Sequence, residues 1–220
     1  MSVETTSTIV TDNISTDQAG ECDSLASGLT YSYADTFMME DTEYRKLYLL
    51  EDIDNTIFEK INYFILRYNE IDNEDKIPIK KRVPIKIYIN SYGGSVYDGL
   101  SCIETIRASK TPVHGICFGY AMSMAFHIFA NCHKRFATKS AILLNHEGVD
   151  GMYTHPSKLR DYMEFSDRVN DRLNQYLCER ANFSMEQLIE SERIESYMFA
   201  DEAKEKGLVD VIINSTSDIK

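Results

Sequence analysis

The sequence predicts an α/β layered fold with a largely parallel sheet. From Tyr44 onward, apolar runs of strand length alternate with longer segments whose apolar residues recur at three- and four-residue steps. Short apolar runs are typical of buried strands, and the longer period is typical of helices that pack one face on a core. Strands that alternate with helices favour parallel pairing, because each helix returns the chain to the start of the next strand. A length of 220 residues suits one such domain.

The predicted elements follow one another with few interruptions. A strand at residues 45–50 leads to Asp54, which can cap a helix that reaches at least Tyr68. A polar, proline-bearing segment then separates this helix from the next strand. The remaining predicted strands are 85–90, 113–118 and 141–145, and the remaining predicted helices are 97–108, 124–130 and 156–179. The last of these helices carries charged residues between the positions of its apolar stripe.

The N-terminal region differs in composition from the rest of the chain. Residues 1–43 contain nine Asp or Glu residues and no Lys or Arg, and they are rich in Ser and Thr. Such a segment buries too little apolar surface to offset the entropy of ordering, so residues 1–43 are predicted to be weakly ordered and 1–32 to be mobile. The predicted domain spans 44–213, and 214–220 form a short C-terminal tail.

Charge and cysteine content exclude several classes of protein. A net charge of −12 disfavours nucleic acid and anionic membranes as partners, because both attract basic surfaces. No apolar run approaches the ~20 residues that span a bilayer, and the first residues do not resemble a secretory signal. The five scattered cysteines show no pairing motif. Together these features predict a cytoplasmic protein with reduced thiols.

Three predicted strand ends carry residues suited to acyl transfer. Ser123 lies between the strand 113–118 and the helix 124–130, where backbone N–H groups of the helix are free beside its hydroxyl. His146 follows a second strand, and the Gly93–Gly94 pair follows a third. A hydroxyl, an imidazole and a flexible loop of backbone donors are the parts of a nucleophilic site.

Each of these residues also has a purely structural interpretation. A serine at a strand–helix junction is more often a helix cap, a histidine at a strand end is often only hydrogen-bonded, and a glycine pair often forms a turn. His127, Cys132 and His133 could suggest a metal site, but the motifs His-Glu-x-x-His and Cys-x-x-Cys are missing from the sequence, and no metal is predicted. The glycine pair is not followed by Gly-Lys-Ser/Thr, so no nucleotide loop is predicted.

At these positions the sequence resembles the ClpP family, the proteolytic subunits of the ATP-dependent Clp protease. The resemblance covers roughly residues 46–213. It rests on the order of several motifs: 90–96 (Asn-Ser-Tyr-Gly-Gly-Ser-Val), 119–124 (Gly-Tyr-Ala-Met-Ser-Met), 142–146 (Ile-Leu-Leu-Asn-His), 134–137 (Lys-Arg-Phe-Ala) and 199–210. Tyr92 stands where the family usually has proline. Glu147 and Gly148 stand where it usually has Gln-Pro.

The resemblance implies a role for each site residue. Ser123 would be the nucleophile, His146 the general base, and Glu195 the carboxylate that orients the imidazole, in place of the family's aspartate. Glu190 and Glu192 are the nearest substitutes for Glu195, but both are expected on the preceding helix. The amides of Gly94 and Met124 would form the oxyanion hole. Main-chain groups of extended stretches on both sides would bind substrate, at Ser95, Val96, Glu147 and Gly148.

The resemblance also implies a fold and an assembly. It implies a ClpP/crotonase-like fold in which the helix that begins at Pro156 projects as a handle and joins two heptameric rings into a tetradecamer. Such a homo-oligomer would be a serine endopeptidase without a cofactor. It would cleave unfolded polypeptides delivered by a separate AAA+ ATPase that unfolds them. Two alternatives stay open: a catalytically silent ring subunit with a structural or regulatory role, and a crotonase-type acyl-CoA enzyme.

Overall fold

The computed structural model describes residues 33–148, 155–182, 184–192 and 195–219. The N-terminal residues 1–32, predicted to be mobile, lie outside the described residues. Within the described residues, seven strands form one sheet. They are β1 (Lys46–Leu49), β2 (Ile85–Ser91), β3 (Val113–Met122), β4 (Lys134–Thr138), β5 (Ile142–Asn145), β6 (Ser196–Phe199) and β7 (Val211–Ile213).

The helices of the described residues are α1 (Tyr33–Glu43), α2 (Tyr63–Glu74), α3 (Val96–Ala108), α4 (Met124–Asn131), α5 (Pro156–Cys178), α6 (Met185–Glu192) and α7 (Ala200–Glu205). They alternate with β1, β2 and β3 as the sequence pattern predicts, but β4 leads directly into β5 and α5 into α6, and the pattern does not predict β4, β6 or β7. A single π-helical segment, Phe58–Asn62, precedes α2, and short 3₁₀ segments lie at Ile79–Lys81 and Thr216–Asp218. None of the described helices is both long and apolar enough to cross a membrane.

The sheet is parallel except at one strand. Its strand order is β1-β2-β3-β4-β7, and β5 pairs with the second half of β3. On β3, residues 114–117 pair with β4, and residues 120–122 pair with β5. Strand β6 then runs antiparallel to β5, with Asn145 opposite Ser196 and Ile142 opposite Phe199. The mixed α/β fold with a mostly parallel sheet confirms the predicted fold class.

Helix α4 is the most deeply buried helix near the site. All eight of its residues are buried, including Phe126 and Phe129, and only His127 and Asn131 among them are polar. Full burial of each such aromatic side chain contributes about 1.5–3 kcal/mol to folding. Ser123 directly precedes this helix in the chain, so the core fixes the position of the candidate nucleophile.

Two local differences from the sequence prediction bear on function. The sequence predicts that the strand ends at Phe118 and that the small residues after it form a turn, but β3 continues to Met122 because β5 offers it a second pairing partner. The last part of the acidic segment 1–43 was expected to be weakly ordered, but residues 33–43 form α1. Asp41 of α1 accepts a hydrogen bond from Lys46 at 2.5 Å and another from the Tyr48 hydroxyl. The acidic residue thus has a basic partner on the adjoining strand.

Candidate active site

Ser123 adopts a backbone conformation that is rare for a residue with a side chain. Its φ is 53° and its ψ is −128°. A positive φ in a residue other than glycine stores roughly 1–3 kcal/mol of strain and persists only where the surroundings enforce it. The backbone carbonyl of Ser123 accepts hydrogen bonds from Phe126 at 3.0 Å and from His127 at 3.2 Å. Its side chain makes no capping hydrogen bond, so the hydroxyl is not used as a helix cap.

His146 follows directly after β5, at the edge where β3 also ends. The register between the two strands pairs Met122 with Leu144, so Ser123 and His146 both lie just beyond the paired positions. The two side chains line one cleft of about 340 Å³. Within the described residues no hydrogen bond joins them. Catalytic hydrogen bonds are often long before substrate binds, so this geometry is compatible with a nucleophile and its base.

The glycine pair after β2 lies against the nucleophile. A Cβ atom on Gly93 would stand 2.7 Å from the Cβ of Ser123 and 2.9 Å from the amide nitrogen of Met124. Gly93 also has a φ of 107°, which favours glycine. Only glycine therefore permits this approach, and Gly93 is a site residue that the sequence argument missed. Its signal was present in the Gly-Gly pair.

The amides of Gly94 and Met124 are available as donors. Gly94 has a φ of 144° and packs against Ile53, whose backbone bonds to Gly93 and Ser95 rather than to the Gly94 amide. Met124 is the first residue of α4, where a helix leaves its N–H groups unpaired. Neither amide has an acceptor in the described part of the chain. Met124 directly follows Ser123, and Gly94 follows Gly93, the glycine that contacts Ser123. Gly94 itself lines a neighbouring cavity rather than the cleft that holds Ser123. Two free N–H groups near a nucleophile are what an oxyanion hole requires.

The stretch expected to bind substrate after Gly94 is not extended. The amide of Ser95 donates to the carbonyl of Ile53 at 2.7 Å, and the carbonyl of Ser95 accepts from Gly99 at 3.0 Å. Ser95 caps α3, and Val96 is the first residue of that helix, because the Ser95 side chain accepts the amide of Asp98. The main chain of Ser95 is therefore already paired in this conformation. Val96 contributes its side chain to the cleft instead.

Glu147 and Gly148 follow His146 along the other wall of the cleft. Both residues are exposed, and both line the cleft. A Cβ atom added to Gly148 would meet no atom within 4 Å. This side of the cleft is therefore open to an incoming chain.

The pairing of β5 with β6 brings the backbone of Glu195 close to that of His146. Because Asn145 pairs with Ser196 in the antiparallel β5–β6 ladder, the register carries Glu195 to the position opposite His146. Its φ is 50°, and its side chain is exposed. The described residues include no hydrogen bond between the Glu195 carboxylate and the imidazole. Glu190 and Glu192 both lie within α6, as expected.

A second histidine, His127, lines the same cleft. It lies one helical turn after Ser123 and is 6% exposed. Burial lowers its pKa to about 4, with a further contribution from the charge of His146 nearby. Its Nδ1 atom is buried and has no hydrogen-bond partner among the described residues. From the sequence His127 is a candidate only for metal binding, because a sequence alone does not show which face of α4 meets the site.

The far wall of the cleft comes from α5. Four polar residues of this helix line it: Asp167, Asn170, Asp171 and Asn174. In the sequence the charged residues of α5 are visible only as residues between the apolar positions of a predicted handle helix. In the described part of the chain, no group of three or more His, Cys, Asp or Glu residues could hold a metal ion.

Comparison with known proteins identifies the family of this chain. Residues 33–216 match the family model described as Clp protease. One relative, the ATP-dependent Clp protease proteolytic subunit 1 of Prochlorococcus marinus strain NATL2A, is 33% identical over 151 residues, which cover 68% of this chain and 74% of the relative. The protein of the same name from strain MIT 9312 is 35% identical over 132 residues, or 59% of this chain and 68% of that relative.

The fold and the matched family define a class, the serine-type peptidases with a layered α/β architecture. The chain belongs to the Clp protease family. The resemblance identified from the sequence motifs is thereby confirmed, as is the predicted activity of a serine endopeptidase.

Proposed function

We propose that Ser123, His146 and Glu195 are the catalytic triad with which this protein cleaves the peptide bonds of its substrates. The Ser123 hydroxyl oxygen attacks the scissile carbonyl while His146 takes its proton, and the amides of Gly94 and Met124 stabilise the oxyanion. His146 then gives the proton to the leaving amine, and water releases the acyl group in the reverse sequence. The observation that carries this proposal is the strained backbone of Ser123, which faces the same cleft as His146.

Labelling with a fluorophosphonate probe tests the nucleophile. Peptide mapping should find the probe on Ser123, and Ser123→Ala should remove both labelling and peptide cleavage. Ser140 is an exposed serine outside the cleft, so Ser140→Ala is the matched control and should retain both. Cleavage at the original rate by Ser123→Ala would overturn the assignment.

One observation favours a second function, the catalytically silent ring subunit. The described residues include no hydrogen bond from His146 to Ser123 or to Glu195, so the triad is not assembled in this conformation. The same labelling experiment separates the two functions, since a silent subunit leaves Ser123 unmodified. A silent subunit would also fail to cleave any peptide while still forming an assembly.

An assembly of two heptameric rings is the second part of the proposal. Helix α5 has 23 residues and exposes large apolar side chains along its first half: Leu159, Met163 and Phe165. Apolar surface of this kind is typical of a subunit interface. Light scattering should give about fourteen times the 25.3 kDa mass of one chain. Met163→Glu should shift this mass toward single rings, and an unchanged mass would place the interface elsewhere.

The relatives' names describe proteolytic subunits of an ATP-dependent protease. Unfolded polypeptides are therefore the proposed substrates, and a separate ATP-driven unfoldase is the proposed partner. The described cysteines, Cys102, Cys117, Cys132 and Cys178, are free thiols, which suits the proposed cytoplasmic location. Degradation of a stably folded protein should require both ATP and the unfoldase, whereas cleavage of short peptides should require neither.

A further inference from the structure

The cleft beside Ser123 combines apolar and acidic surfaces. Asp167, Asn170, Asp171 and Asn174 recur at three- and four-residue steps, so they share one face of α5, and that face lines the cleft. Glu147 adds a third carboxylate from the opposite wall. Four apolar side chains complete the lining: Val96, Met124, Leu173 and Ile189. No Lys or Arg belongs to the described residues around this cleft.

The carboxylates in the cleft are not neutralised within the described structure. The ion pairs of the described residues involve neither Asp167, Asp171 nor Glu147. The buried Nδ1 of His127, also in the cleft, lacks a partner among these residues. Burial lowers the pKa of this imidazole to about 4, so it is neutral at neutral pH and places no positive charge beside the carboxylates. The cleft therefore contains negatively charged hydrogen-bond acceptors, and the described residues that line it include no positively charged donor to pair with them.

Lysine and arginine side chains are complementary to this combination of apolar and acidic residues. Each has an apolar stem that packs on surfaces such as Leu173 and Ile189, and a cationic end that carboxylates attract. An acidic side chain would be repelled from the same place, and a purely aliphatic one would leave the carboxylates without a partner. Since Ser123 and Met124 also line the cleft, the side chain it receives belongs to the substrate residue whose carbonyl is attacked.

We propose that this cleft receives a lysine or arginine side chain of the substrate polypeptide, and that Asp167 and Asp171 set this preference. The proposal rests on the proposed function, because it assumes that Ser123 attacks a peptide. One partly exposed charge pair changes an equilibrium by up to about fivefold, so two carboxylates predict a preference of roughly tenfold for lysine over leucine.

Four fluorogenic peptides that differ only at the residue before the cleaved bond test the preference. With lysine, arginine, leucine and glutamate at that position, kcat/KM should be highest for the two basic peptides and lowest for glutamate. Added salt should reduce the lysine-to-leucine ratio, because salt screens exposed charges. This measurement uses the unmodified protein, so it does not depend on any variant folding. A ratio at or below one would overturn the proposal.

A double variant tests the residues themselves. Asp167→Asn with Asp171→Asn should lower the lysine-to-leucine ratio by at least about fivefold. Glu59 and Glu74 are exposed carboxylates outside the cleft, so Glu59→Gln with Glu74→Gln makes the same change in net charge and should keep the ratio. An equal ratio in both double variants would contradict the assignment to Asp167 and Asp171.

The outcomes also separate this proposal from the proposed function. If the leucine peptide is cleaved and Ser123 is labelled, but lysine gives no advantage, only the preference is wrong. If no peptide is cleaved and Ser123 resists the probe, the proposed function fails, and the preference fails with it.

Discussion

The backbone N–H of Ser123 donates a hydrogen bond of 2.9 Å to the carbonyl oxygen of Leu144. Leu144 lies on β5, two residues before His146, which directly follows that strand. The peptide of the candidate nucleophile is therefore held against the strand that carries the candidate base. Main-chain bonding, rather than any contact between the two side chains, sets their separation. This explains how the pair is positioned although the described residues include no hydrogen bond between its side chains.

Glu195→Gln should lower kcat for peptide cleavage by at least about a hundredfold. The amide keeps the size of the side chain but loses the charge that stabilises a protonated His146. Peptide kinetics with intact protein, checked by circular dichroism, measure the effect. Glu190→Gln on α6 removes a charge from the preceding helix and serves as the control. An unchanged kcat in Glu195→Gln would mean that Ser123 and His146 act as a dyad.

Gly93→Ala should impair both stability and turnover. The added methyl group would stand 2.8 Å from the carbonyl oxygen of Met122 and 2.7 Å from the Cβ of Ser123, at a φ of 107°. We expect a loss of about 1–3 kcal/mol in the free energy of unfolding, together with a lower kcat. Thermal unfolding measures the first effect. Gly148→Ala, where the space is open, should leave the melting temperature unchanged, and equal shifts in the two variants would refute the close approach.

His127→Leu should make the fold less sensitive to acid. In the folded protein the pKa of His127 is about 4, whereas in the unfolded chain its pKa is near the ordinary value of 6.5. The unfolded state therefore holds more protons between these values, and stability is lost as pH falls through this window. At pH 5 this loss is about 2 kcal/mol relative to pH 7.

Urea unfolding of both proteins at pH 7 and pH 5 measures this difference. His133, whose pKa is also lowered by burial, titrates in both proteins and cancels in the comparison. The wild-type protein should lose more stability than His127→Leu between the two pH values. Parallel losses would show that His127 accepts a proton within the folded state.

Two truncations test the boundary of the folded unit. Removal of residues 1–43 takes away Asp41 and the carbonyl of Thr42, which accepts the Tyr68 hydroxyl at 2.5 Å. The hydroxyls of Tyr48 and Tyr68, both partly buried, then lose their partners, at a cost of about 1 kcal/mol each. Removal of residues 1–32 alone eliminates neither contact and is the matched control. Equal unfolding midpoints for the two truncations would show that α1 adds no stability.

The order of β1, β2, β3 and β5 and of the helices between them could be predicted from the sequence because apolar periodicity is a local property, whereas the short strands β4, β6 and β7 were not predicted. The fold class and the family followed from that order and from the motifs around Ser123 and His146. The length of β3 could not be predicted, since residues 120–122 are held by β5, a partner more than twenty residues later in the chain. Propensity alone suggests a turn at Gly119.

The acidic wall that α5 forms in the cleft could not be predicted from the sequence for a related reason. The charges of α5 were visible, but amphipathic spacing shows only which residues share a face, not what that face meets. Likewise the acidic composition before Tyr44 predicts weak order, whereas the carbonyl of Thr42 in α1 accepts a hydrogen bond from the hydroxyl of Tyr68 in α2. In each case a tertiary neighbour decided the outcome, and a single sequence does not reveal such neighbours.

Because β3 changes its pairing partner along its length, its two halves contribute to different properties of the protein, one to stability and the other to the geometry of the active site. Its first half, around Ile116, lies between β2 and β4 within the buried core, while its second half, around Ala121, adjoins the strand of the candidate base. Substitutions in the first half should reduce the amount of folded protein and leave the turnover of each folded molecule intact. Substitutions in the second half should reduce turnover in protein that still accumulates normally. Yield and specific activity can therefore vary independently, through positions only five residues apart on the same strand.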